Sequence, residues 1–262
     1  MSRLDSRRIF RTRRTGLGRF FAPLVGISTF VGVWEAAVRL FRVRAFVLPG
    51  PVRILRELLN DRGFFFRQAS VTFREALFGL SIAFALALAI AVPMSRRPFV
   101  ERAIQPVATL IVVIPLVCYA PALVIWLGPG ARPIVAVAAI VSFVPILFSA
   151  VAGLRSTDQN ALDLLRSVGA RPREVFWRLE FPSALPHVLA GLRSGVGLAL
   201  IGAVLGEWFA LVSEGLGVQI QRGAAQNAAP LVWASAFALG IIGAVALGAI
   251  GAIERRFRAT SE

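Results

Sequence analysis

The sequence contains no lysine, one cysteine (Cys118), one histidine (His187) and one tyrosine (Tyr119). A single cysteine excludes an internal disulfide and argues against a cysteine-based metal cluster. The lone histidine follows Pro186 at the edge of an apolar run, which does not make a metal centre. Without lysine there can be no Gly-x-x-x-x-Gly-Lys-Ser/Thr loop, so the chain carries no nucleotide fingerprint. Charge is also scarce, at 16% of residues against 57% hydrophobic, and this argues against a soluble fold.

What charge there is lies unevenly. All 29 basic residues are arginine and the formal net charge is +15. In a soluble protein that balance would suggest nucleic acid. Here the arginines crowd the N-terminal tail and the loops, where anionic headgroups lie, so membrane lipids are the expected partner and nucleic acid is not.

A spanning helix needs about 20 apolar residues. Runs of that length fall at 20–40, 71–92, 104–127, 133–153, 188–212 and 231–253. The predicted fold is therefore all-α: a polytopic helical membrane protein of about six transmembrane helices. Residues 1–19 read as a basic cytoplasmic tail, 20–70 as a first helix plus an outer amphipathic segment, 71–255 as the core, and 256–262 as a cytoplasmic C-terminal tail. Arginines on the presumed inner side (tail, 94–103, 154–186, after 253) number eighteen against eight outside, which places both termini in the cytoplasm.

Local patterns refine this division. Glu35 and Arg39 are four apart, in the order that favours a helical ion pair. Pro49 and Pro51 end the first helix, and 52–60 is short and amphipathic. Pro115 and Pro121 should break or kink the third span. Glycines at 191, 195, 197, 202 and 206 in the fifth span and at 240, 243, 248 and 251 in the sixth predict that these two helices pack closely inside the bundle.

One polar interval, 154–186, interrupts the apolar chain and falls on the cytoplasmic side. Asp158 or Thr157 can cap a helix carrying Leu162, Leu164, Leu165 and Val168, and Gly169 provides its stop. Pro172 can open a second helix with Val175, Phe176 and Leu179 on one stripe, after which Pro182 and Pro186 steer the chain back to the bilayer. The result is a helix-glycine-helix elbow. A surface-lying pair that merely anchors the bundle is the plainer reading.

The spacing of Asp163, Leu164, Leu165, Gly169, Leu179, Phe181 and Pro182, with Ala170 after the glycine, resembles the signature loop of the membrane subunits of ATP-binding cassette importers. The first three positions depart from that family's usual Glu-Ala-Ala. From Leu48 onward the chain looks most like the nitrate, sulfonate and taurine branch: Leu48-Pro49-Gly50-Pro51, Ile114-Pro115-Leu116, Ala120-Pro121-Ala122, Trp126-Leu127-Gly128, the run from Leu185 to Arg193, and Gly215-Leu216-Gly217. The resemblance implies a type I importer permease in a bacterial inner membrane, working as a dimer with a second permease copy. It implies ATPase subunits that hold ATP and Mg and receive the loop, no cofactor in this chain, and a periplasmic or lipid-anchored substrate-binding protein. The implied substrate is a small anion such as a sulfonate, taurine or nitrate, although relatives also handle thiamine precursors.

Candidate pathway residues are Pro115, Tyr119, Pro121 and Trp126 in the third span and Glu207 in the fifth, with aromatic packing and structural pairing as the alternatives. A charge at mid-membrane costs about 2.5 to 3.5 kcal/mol, so Glu207 needs partners or water. A gradient-driven carrier would place ionisable groups in repeated halves, and no repeat is seen. A membrane-embedded enzyme would need a cluster of catalytic side chains that the sequence lacks.

Overall fold

The computed structural model describes the backbone of residues 16–259 and the side chains of 25–256. The greater part of the basic N-terminal tail and the end of the C-terminal tail lie outside the described residues. Eleven α-helices are present among them, with no strand: α1 (Gly16–Leu40), α2 (Pro51–Asn60), α3 (Arg62–Arg96), α4 (Pro98–Val113), α5 (Leu116–Leu127), α6 (Ala131–Arg155), α7 (Gln159–Ser167), α8 (Pro172–Val175), α9 (Phe181–Phe209), α10 (Leu216–Ala225) and α11 (Ala229–Ala259). Among the described residues, four segments, α3, α6, α8 to α9 and α11, are long and apolar enough to cross a membrane, and α4 with α5 makes a fifth if the bent pair counts as one span.

The centre of the bundle is α6, packed between α3 and α9. Small residues make this possible. On α3, Ala76, Ala83, Ala87 and Ala91 recur at intervals of seven and four, on one helix face, and all are buried. Gly79 continues that face, and an added Cβ there would lie 2.5 Å from the Ala138 Cβ of α6. On α9, Gly202 and Gly206 place the backbone against Ala138 and Ile134. In lipid no hydrophobic effect drives helices together, so this close approach is what supplies the packing energy.

Several boundaries differ from the sequence reading. The second span is a 35-residue helix rather than 71–92. Its Asp61 cap accepts from the Phe64 amide at 3.2 Å, so the helix starts well before the apolar run. The fifth span likewise starts early: α8 passes through a π turn, Phe176–Glu180, directly into α9. Pro182 and Pro186 therefore do not turn the chain. Pro182 stands in the first turn of α9, where a missing N–H is tolerated, and the wider turn is closed by the Phe181 amide on the Phe176 carbonyl. Residues 213–229, between the fifth and sixth apolar runs, contain α10, whose Leu216 and Gln219 are fully buried.

The expected ion pair forms, Arg39 Nε to Glu35 Oε1 at 2.7 Å. Glu35 also accepts from the Val52 amide at 3.2 Å, tying α1 to the start of α2. Ile54 of α2 joins Phe65, Leu216, Ala234 and Ala238 in a second small core.

Candidate functional site

The elbow is built as its residues dictate. Asp158 caps α7, accepting from the Asn160 amide at 3.0 Å. At the other end the Gly169 amide bonds to the Arg166 carbonyl and the Ala170 amide to the Leu165 carbonyl, each at 3.0 Å, with Gly169 at φ +75°. That pair of bonds is a Schellman motif, and it needs a left-handed residue at its centre. Glu174 then accepts from the Arg171 amide at 3.1 Å to start α8.

The two sides of the elbow differ. Leu162 and Val175 face inward and are buried, whereas Leu164 of α7 (66% exposed) and Val168 just past its end (72% exposed) form an uncovered apolar ridge beside exposed Asp163 and Gly169. Leu165, Ala170, Leu179 and Phe181 are half-buried behind it, and Pro182 is exposed. Behind the tip, Phe176, Trp177 and Phe181 cluster with ring centroids 5.2 to 6.0 Å apart. Ion pairs bind the elbow's base to the bundle: Arg96 of α3 with Glu180, and Arg155 of α6 with both carboxylate oxygens of Glu101 at 2.8 and 2.7 Å. The bidentate geometry puts the second pair at the stronger end of surface ion pairs.

The third span breaks at Ile114–Pro115, where α4 and α5 meet at 102°. Ile114 is extended (φ −67°, ψ 126°), as a residue preceding proline prefers. Pro115 cannot donate to the Ile111 carbonyl, and Tyr119 does so instead, its hydroxyl 2.9 Å from that oxygen. Pro121 sits inside α5 without ending it. Pro115, Pro121 and Trp126 are exposed, the last at 79%.

Glu207 lies near the end of α9 remote from the elbow and is 2% exposed. Its Oε2 accepts from the Gly217 and Val218 amides at 2.6 and 3.2 Å, and its Oε1 from the Thr72 hydroxyl at 2.6 Å. Thr72 in turn accepts from the Leu216 amide, and Gln68 from the Gly215 amide. Glu75 lies beside Glu207 with one buried oxygen unpaired among the described residues. The start of α10 is thus held by a carboxylate and two polar side chains of α3 and α9, a natural use of unpaired helix N-terminal amides. Gly215 (φ +120°) and Gly217 leave no room for a side chain against that carboxylate. Gln68, Thr72 and Glu75 carried no local signal, because their partners are far along the chain.

Comparison with known proteins agrees with this architecture. The chain is 34% identical to the formylaminopyrimidine transport permease protein ThiX of Halalkalibacterium halodurans, over 88% of this chain and 92% of that protein. It is 28% identical to the taurine transport system permease protein TauC of Escherichia coli, over 97% and 94%. The MetNI methionine ABC transporter, solved in inward-facing conformations, superposes with a TM-score of 0.61 at 17% identity, covering 75% of this chain and 97% of the matched chain. A family described as the inner membrane component of binding-protein-dependent transport systems matches residues 79–259, and the chain belongs to that family.

Proposed function

We propose that residues 154–186 form the coupling element through which a separate ATPase subunit drives this permease. Family membership makes the chain the membrane subunit of an ATP-binding cassette importer and not an enzyme, with ATP hydrolysis on another subunit. The observation that carries the coupling reading is the ridge of Leu164 and Val168, uncovered on an elbow whose base is bonded to α3, α4 and α6 and continuous with α9. A rigid knob so attached transmits a push from its tip to the bundle. In this reading ATP and Mg close two ATPase subunits, the seated elbows follow, and two permease copies rock about residues 71–255 to open alternately to each side. The termini are cytoplasmic, residues 20–70 flank the core, and a substrate-binding protein delivers from outside.

Pull-down with the ATPase subunit tests this. Gly169 has nothing within 4 Å of an added Cβ, so a side chain there strains the backbone without striking the chain itself. Gly169→Asn, which tolerates φ > 0, should capture the ATPase as the wild type does. Gly169→Arg, still inserted, should lose capture and ATP-dependent uptake. Equal capture by both would return the elbow to a surface anchor.

For the substrate, the outer arginines and the branch resemblance favour a small anion such as taurine, another sulfonate or nitrate. The 34% identity to a formylaminopyrimidine permease supports a second reading, a thiamine-precursor-like heterocycle. Uptake of labelled taurine against labelled formylaminopyrimidine by the assembled transporter separates them.

A further inference from the structure

Between the elbow and the ends of the spanning helices lies a cavity of about 670 Å³. The guanidinium groups of Arg96, Arg155 and Arg166 line it, against one carboxylate, that of Glu180. Their existing bonds differ. Arg155 is committed to Glu101 and to the Met94 carbonyl. Arg96 donates one N–H to Glu180 and stands 5.6 Å above the Phe176 ring, leaving further donors free. The Arg166 guanidinium makes no hydrogen bond among the described residues, only an ion pair to Asp163 at 3.6 Å. Apolar side chains, Leu162 and Val175 among them, line it as well.

The position of the cavity narrows what it can hold. Arg96 is the last residue of α3 and Arg155 the last of α6. Basic side chains at the ends of spanning helices sit at the depth of lipid headgroups. Guanidinium groups match phosphate oxygens in geometry and charge. Inorganic phosphate would use only the basic groups of this lining, whereas a phosphodiester with its glycerol and chains would use the apolar ones as well.

We propose that this cavity binds the headgroup of an anionic phospholipid, the phosphate on Arg166 and the free donors of Arg96, the glycerol end against Leu162 and Val175. The lipid then bridges α7 to the ends of α3 and α6, so the stiffness of the elbow depends on the anionic lipid around it.

The test is native mass spectrometry of the full chain in neutral detergent, titrated with short-chain phosphatidylglycerol, short-chain phosphatidylcholine or inorganic phosphate. Arg166→Gln should weaken phosphatidylglycerol binding about fivefold, the equivalent of one arginine–headgroup attraction. Gln159→Arg adds a guanidinium to the same cavity and should tighten binding by a similar factor. Phosphatidylcholine, whose choline cation offsets the phosphate charge, should bind more weakly and change less in both variants. Both positions are exposed, so thermal midpoints should match the wild type. The N-terminal arginines are common to all variants and cancel in the comparison. Unchanged phosphatidylglycerol affinity in both variants overturns the proposal. So does displacement of the lipid by an equal concentration of inorganic phosphate, which would make the site one for a free anion.

Discussion

Glu207 of α9 accepts the amide of Gly217 at 2.6 Å, and through that bond a buried carboxylate holds the first turn of α10 against the bundle. Glu207→Ala would leave the Gly217 and Val218 amides and the Thr72 hydroxyl without their acceptor. The expected loss is about 1 to 3 kcal/mol, the range for leaving buried donors unsatisfied. Glu207→Gln keeps one acceptor oxygen and should lose less. Thermal unfolding of the purified chain in detergent measures both, and an alanine variant as stable as the wild type would remove the anchoring role.

Glu75 should respond in the opposite sense. Its carboxyl group stands beside that of Glu207 with one oxygen unpaired among the described residues. Glu75→Gln brings an N–H that can donate to Glu207 and is expected to be neutral or stabilising by about 1 kcal/mol. Thr72→Val, which removes both a donor to Glu207 and an acceptor for Leu216, should destabilise by about 1 to 3 kcal/mol.

Tyr119 and Pro115 should be coupled through a shared acceptor. In the native chain the tyrosine hydroxyl serves the Ile111 carbonyl that Pro115 cannot reach. Tyr119→Phe is expected to cost about 1 kcal/mol. In a Pro115→Ala background the restored backbone N–H can take that carbonyl, and the cost should shrink toward zero. A double-mutant cycle reads the difference, and additive effects would show that the hydroxyl is not substituting for the missing donor.

The α6–α9 contact depends on absent side chains. A Cβ at Gly202 would lie 2.8 Å from the Ala138 Cα and 2.9 Å from the Val141 Cγ2, whereas one at Gly197 meets nothing within 4 Å. Gly202→Val should therefore destabilise by about 1 to 3 kcal/mol, as overpacking does, while Gly197→Val leaves the thermal midpoint near the wild type. Equal effects at the two positions would mean that the helices can shift apart freely.

By itself the sequence determined the all-α membrane class, the approximate positions of the apolar runs, the break at Pro115 and the stop at Gly169. Each follows from chemistry within one or two helical turns: transfer of apolar side chains to lipid, a missing proline N–H, a left-handed glycine. The Glu35–Arg39 pair was legible for the same reason. Tertiary structure decided what depends on distant segments. Helix ends at Arg62 and Pro172 lie beyond the apolar runs because capping and a π turn, not hydropathy, set them. Helix α10 has little apolar signal of its own and is held by Gln68, Thr72 and Glu207 through its amides. Glu207 read from sequence as a charge in need of a partner; only the fold, which brings together residues 135 positions apart, could say which partner it has.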